Sequence, residues 1–287
     1  MSSPPIWFIT GCSSGFGTSL ALLALRSGHK VIATSRNPSK TPGLVSEVES
    51  LGGVWHTLDV CAPEPELAKA VEKAINVWGR IDILVNAAGY ALLGAFETIR
   101  STRPNGHKLL RPPHPNPADP PLDAPPPLRH RRPNKQRHRP RSQALAVPVF
   151  RLQIRARGLL RSPVPRSQAP RDPRLLVEPG WFGTNFSRAL ARPEAALPGE
   201  YEGTVVKQVL DATVALGGVG ARAPNDVEKG CRAVFDVVMG RGLGEGVEET
   251  IRLPLGKDCV ARIRVKIEEH RHMLDVTEKL WSSTDVD

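Results

Sequence analysis

Cysteine is scarce in this chain of 287 residues, tyrosine is scarcer, and no apolar run is long enough to cross a bilayer. Each absence removes a class of protein. The four cysteines, Cys12, Cys61, Cys231 and Cys259, show neither metal-ligand spacing nor the density of a disulfide-stapled domain. No metal site is therefore expected, and a reducing compartment is. The opening MSSPPIWFIT has no basic segment ahead of a long apolar one. A soluble, cytoplasmic protein without membrane attachment is the expectation.

A second absence is local. Between Ser101 and Arg174 there is no Tyr, no Trp and no Glu, yet 17 of the 28 prolines fall there. Fixed φ and missing N–H donors set runs such as RPPHPNPADPPLDAPPPL against both helix and sheet. The same stretch holds 17 of the 39 Lys+Arg and only 3 of the 29 Asp+Glu. The formal net charge of +10 is thus a property of this segment, and the flanks are mildly acidic. Such a stretch is poor material for a packed core, and residues 101–174 are expected to be largely disordered. A basic arm for nucleic acid or an acidic protein is an alternative function. Runs such as Arg129-His130-Arg131-Arg132 supply charge, but without interleaved aromatics for base stacking they do not favour nucleic acid.

The flanks carry pattern. Ile6-Trp7-Phe8-Ile9 reads as a buried strand, followed by the turn Thr10-Gly11-Cys12-Ser13-Ser14-Gly15-Phe16-Gly17 and an apolar helical stretch around Leu20 to Leu25. A loop of small residues entering a helix lets a pyrophosphate approach the helix N-terminus, where unpaired N–H groups and the dipole favour negative charge. Lys30 to Thr34 reads as a second strand, ending in Ser35-Arg36. An acid there would take ribose hydroxyls; an arginine accepts a 2′-phosphate through its planar fork. Arg36 therefore favours NADP(H) over NAD(H). Strands are expected over Val54–Leu58, Ile81–Val85, Leu175–Val177 and Ile251–Leu255, with helices over Glu66–Val77, Val205–Leu216 and Val227–Met239. A terminal helix places Val260, Ile263, Ile267 and Leu274 near one face, which packing explains best.

The segments TGCSSGFG, LDV and GRIDILVNAAG, in that order, resemble the short-chain dehydrogenase/reductase family, and the ending resembles its fungal members. The likeness spans roughly residues 5–100 and 175–287. It implies one NAD(P)-binding domain over residues 1–287, with an α/β, Rossmann-type doubly wound parallel sheet. Residues 5–100 would be the cofactor half and 175–287 the substrate half. By this likeness Thr10, Gly11, Ser13, Ser14, Gly15, Phe16 and Gly17 form the phosphate loop, and Asp59 and Val60 meet the adenine edge. Asn86, Ala87, Ala88 and Gly89 lie beside the cofactor, with Asn86 bracing the fourth strand. Pro179 and Gly180 resemble the family's PG motif after the sixth strand and are counted with the cofactor site, and Thr184 would meet the carboxamide or phosphate side of the cofactor.

The family exchanges hydride between a nicotinamide and a small carbonyl or hydroxyl compound. It uses a Tyr as general acid/base, a Lys four residues later, a Ser upstream and an Asn before that. A phenol near pKa 10 needs a neighbouring cation to exchange protons near neutrality. Here the residues four after Tyr90 and Tyr201 are Gly94 and Val205, so no catalytic residue is assigned. Tyr90 is expected to shape a pocket wall.

Codon degeneracy offers an account of the gap. Read from the second base of each codon, Val149 to Ile154 can encode YSASKF, Lys135-Gln136 can encode SS, and Lys108 to Arg111 can encode NFFG. The spacing suits the family's Tyr-Lys, Ser and Asn. On this reading a frame change near Arg100, reversed near Arg174, replaced the fifth strand and its flanking helices. The central strand and those helices are then disrupted and sheet edges are uncovered. The expectation is an NADP(H)-dependent oxidoreductase by family whose catalysis is lost in this chain; a protein that binds NADP(H) without catalysis is an alternative.

Overall fold

A computed structural model describes residues 3–89, 152–156, 174–186, 197–216, 223–247 and 250–285. They contain a seven-stranded sheet of order β3-β2-β1-β4-β5-β6-β7. The N-terminal strands are β1 (Ile6–Thr10), β2 (Lys30–Ser35), β3 (Val54–Thr57) and β4 (Ile83–Asn86). They are parallel, with Phe8 beside Ile32 on one side and Leu84 on the other. Helices α1 (Gly15–Arg26), α2 (Pro42–Ser50) and α3 (Glu64–Trp78) connect them. The strand and helix alternation predicts this arrangement; α2 escapes it because its nine residues bury only Val48.

Strand β1 is buried on both faces, as the centre of a covered parallel sheet must be. Trp7 and Ile9 face a core shared with α1 and α5 (Val227–Met239), and Ile6 and Phe8 face one shared with Leu67 and Ala74 of α3. Within the first core, Trp7 stacks on Phe235 at 5.5 Å, and its indole N–H donates to His29 Nδ1 at 2.9 Å.

The centre departs from expectation. Leu152–Ala156 form β5, antiparallel both to β4 and to β6 (Arg174–Pro179). The sheet is therefore not wholly parallel, and the edges of β4 and β6 are paired. An antiparallel strand needs no crossover helix, and the proline-dense sequence ahead of it is poor material for one. Ile154, only 2% exposed, joins the first core and pairs with Val85 and Leu175. Apart from residues 152–156 and Arg174, the stretch expected to be disordered lies outside the described residues, as do Tyr90 and the offset Asn and Ser positions.

Beyond β6 come α4 (Val205–Leu216), β7 (Arg252–Leu255, parallel to β6), α6 (Lys257–Val276) and α7 (Glu278–Trp281). Helix α5 is delimited by its ends: Asp226 accepts from the Lys229 N–H at 3.0 Å, and Gly240 closes it at φ 60°. The packing expected of α6 is corrected. Ile263 lines a cavity, but Ile267 and Leu274 are exposed, and Cys259 is the helix's one buried residue. Most of its residues are exposed, and i,i+3 and i,i+4 ion pairs run along its surface.

Candidate cofactor cavity

The carboxyl ends of β1, β2, β4 and β6 open on a cavity of about 890 Å³. A doubly wound sheet places its ligand crevice there, where connections leave in opposite directions from adjacent strands. In this sheet that point lies between β1 and β4.

The first wall is the loop from Thr10 to Gly17. It is shaped by the lack of side chains. Gly11 has φ 72°, and a methyl there would stand 2.7 Å from the Ala88 Cα. A methyl at Gly17 would strike the Gly11 carbonyl. Gly15 (φ 60°) passes directly under Thr184, whose side chain would lie 3.2 Å from an added Cβ. Buried Thr10 ties this loop to the next strand: its hydroxyl accepts from the Ala87 and Ala88 N–H groups, both at 3.1 Å, and donates to the Val85 carbonyl at 3.4 Å. The Thr18 hydroxyl donates to the Cys12 carbonyl at 2.7 Å, closing the first turn of α1. Cys12 itself points into the core, where burial pushes its thiol up to about 12. It is no nucleophile.

The second wall is Glu178 to Phe186 at the end of β6. The Glu178 carboxylate takes a two-point ion pair from Arg252 of β7, fixing the strands in register. Trp181 N–H donates to Asp258 at 2.8 Å. Phe182 meets Phe16 edge-on at 5.0 Å, so the two walls share an aromatic floor. Gly230 of α5 lies under that contact; a methyl there would reach within 2.7 Å of Phe182.

Of the residues assigned to a cofactor from sequence, the cavity is lined by Gly11, Ser13, Ser14, Gly15, Phe16, Arg36, Asp59, Val60, Ala87, Ala88, Gly89, Pro179, Gly180 and Thr184. Thr10, Gly17 and Asn86 do not line it. Thr10 and Gly17 act one layer below, through the hydroxyl bonds and close packing just described. Asn86 ends β4, in register with Thr10 and Gln153. Lining residues without an assignment from sequence include Glu178, Trp181, Arg252, Cys259, Arg262 and Lys266. They gather from β6, β7 and α6, so only the tertiary fold shows them as neighbours. Among the described residues the one tyrosine is Tyr201, buried in a separate cluster with Val206 and Leu210. It does not line the cavity.

Comparison with known proteins agrees with this geometry. The profile described as short chain dehydrogenase matches residues 5–104. Over those residues the chain is similar to short chain dehydrogenases. "Oxidoreductase claN" of Passalora fulva is 41% identical over 96 residues, covering 33% of this chain and 43% of that protein. "Oxidoreductase calM" of Penicillium decumbens is 36% identical over 103 residues, 34% of this chain and 33% of that one. The chain thus spans less than half the length of the curated relatives it matches. A short-chain dehydrogenase from Streptomyces avermitilis superposes with a TM-score of 0.61 over 99% of this chain and 100% of its own, at 18% identity. That likeness is one of fold. No described helix is long and apolar enough to cross a membrane.

Proposed function

We propose that residues 1–287 form one NADP(H)-binding domain, descended from oxidoreductases that act on small carbonyl or hydroxyl compounds, and that this chain holds the dinucleotide without turning it over. The observation that carries the reading is the convergence of the glycine loop, Arg36, Asp59 and Thr184 on one cavity at the point between β1 and β4. The fit to a dinucleotide is supported by the bare backbone at Gly11, Gly15 and Gly17, where any side chain would collide with or strain the wall. Pyrophosphate would rest on that loop at the N-terminus of α1. Arg36 would take the 2′-phosphate and Asp59 with Val60 the adenine edge, while Ala87 to Gly89 and Pro179, Gly180 and Thr184 would enclose the rest. When bound, the cofactor supplies hydride exchange at its nicotinamide. The chain must supply the proton, and no Tyr-x-x-x-Lys exists in it. A replaced reading frame over residues 101–174 accounts for that loss, and the messenger sequence around codons 100 and 174 tests it. Four free cysteines support a reducing compartment, taken to be the cytoplasm.

Calorimetry on the full chain tests the cofactor assignment. NADPH is expected to bind more tightly than NADH, and Arg36→Asp to weaken NADPH about tenfold or more while improving the relative affinity for NADH. An unchanged preference removes Arg36 from the site. Oxidation of NADPH by carbonyl substrates at the speed of an intact enzyme would overturn the assignment of no turnover.

A further inference from the structure

Two residues outside the cavity hold its second wall in place. The Asn225 side-chain amide donates to the Trp181 carbonyl at 2.8 Å and to Asp258 Oδ1 at 2.8 Å. The other Asp258 oxygen accepts from the Trp181 N–H at 2.8 Å and from Arg262 at 3.1 Å. Both backbone polar groups of Trp181 are thereby satisfied by one amide and carboxylate pair. The pair itself is anchored at two helix N-termini. Asn225 directly precedes Asp226, the cap of α5, and forms a backbone bridge with Phe182; Asp258 sits in the first turn of α6. Space around the pair is filled: a methyl at Gly180 would strike the Asp258 carboxylate, and one at Gly256 would lie 2.7 Å from both partners. Burial opposes the charge on Asp258, yet the Asn225 amide, the Trp181 N–H and Arg262 together hold its carboxyl below the ordinary range. It stays an acceptor only, as this geometry requires.

Arg36 and Asp59 lie toward β2 and β3, on one side of the glycine loop, and the Pro179–Trp181 turn lies toward β6, on the other. A dinucleotide laid across the point between β1 and β4 places its adenosine half on the former side and its second nucleoside on the latter. We propose that Asn225 and Asp258 are positioning residues for that second half, clamping the Pro179–Trp181 turn against it. The inference rests on reading the cavity as an NADP(H) site.

The test compares NADPH with adenosine 2′,5′-bisphosphate, which spans only the adenosine side, in wild type, Asn225→Ala and Asp258→Ala. Hydrogen exchange of the segment containing Trp181 is followed alongside. The clamp predicts faster exchange in both variants, NADPH weakened about tenfold, and the fragment unchanged within about twofold. Equal weakening of both probes overturns the inference in favour of a general structural role; unchanged NADPH affinity, or unchanged exchange, overturns it outright. A wild type that binds the fragment but not NADPH overturns it too, leaving the adenosine half of the cofactor reading intact. A wild type that binds neither sinks the cofactor reading itself.

Discussion

The two walls of the cavity are built by opposite means. The glycine-loop wall is made of backbone against backbone, with Gly11 on Ala88 and Gly17 on Gly11, and one buried hydroxyl pins it to β4. The wall at the end of β6 is held by side chains from β7, from α6 and from Asn225 just ahead of α5. Backbone contact leaves no room for a substituent, whereas a side-chain clamp releases in steps as partners are removed. The first wall should fail all at once and the second by degrees.

The largest effect therefore belongs to the glycines. Gly11→Val adds a branched side chain at φ 72°, 2.7 Å from the Ala88 Cα. It combines backbone strain with overpacking and is expected to cost roughly 2–4 kcal/mol of stability. NADPH binding should be lost entirely in calorimetry, with a clear drop in the urea midpoint. A well-folded Gly11→Val chain that binds NADPH normally would break the contrast between the walls.

A smaller effect separates the pin from the loop it holds. Thr10→Val keeps the shape and β-branching of a buried strand residue but strips the acceptor from the Ala87 and Ala88 N–H groups. Leaving buried donors unpaired costs about 1–3 kcal/mol. The urea midpoint should fall and NADPH should weaken, while Thr10→Ser, which retains the hydroxyl, stays near wild type. Equal loss in both variants would show that the hydroxyl is not the pin by itself; loss in Thr10→Ser with none in Thr10→Val would assign the role to the methyl.

The same contrast explains what could be read from sequence. The first wall is local: TGCSSGFG, its strand and its helix are contiguous, so period, small residues and order announce them. The second wall joins Trp181, Asn225 and Asp258, which are 44 and 33 residues apart in successive steps. Asn225-Asp226 before an apolar helix signals a cap, and Gly256 before Asp258 a turn, but nothing local says that they meet. Strand β5 is harder still. The alternation of Leu152, Ile154 and Ala156 with Gln153 and Arg155 suits a strand, yet its reversed direction is a tertiary choice. Helix α6 misleads in the other sense: its apolar residues look like a packing stripe, and Ile267 and Leu274 find no cover among the described residues.

The smallest effect comes from beneath both walls, where Trp7 of β1, Phe235 of α5 and His29 stack together. Burial, aided by Arg241, holds the His29 pKa below its ordinary value, and His56 on β3 is lowered by burial and Lys73. Both rings are thus neutral in the folded chain at a pH where the unfolded chain already binds protons. Stability is then full above about pH 6.5, the ordinary imidazole value, and declines as pH falls from there toward the folded-state values. Protonation of Nδ1 would also remove the acceptor for the Trp7 indole. The melting temperature should be lower at pH 5.5 than at pH 7.5, and His29→Gln should reduce that difference, with His29→Gln/His56→Gln reducing it further. The Trp7 environment joins the strand that leads into the first wall to the helix that anchors the second. NADPH affinity should therefore weaken together with any acid shift in tryptophan emission. An acid-induced loss of stability that persists undiminished in the double variant would move the cause away from this stack, and leave contacts such as Phe16 on Phe182 and Gly15 under Thr184 to couple the two walls.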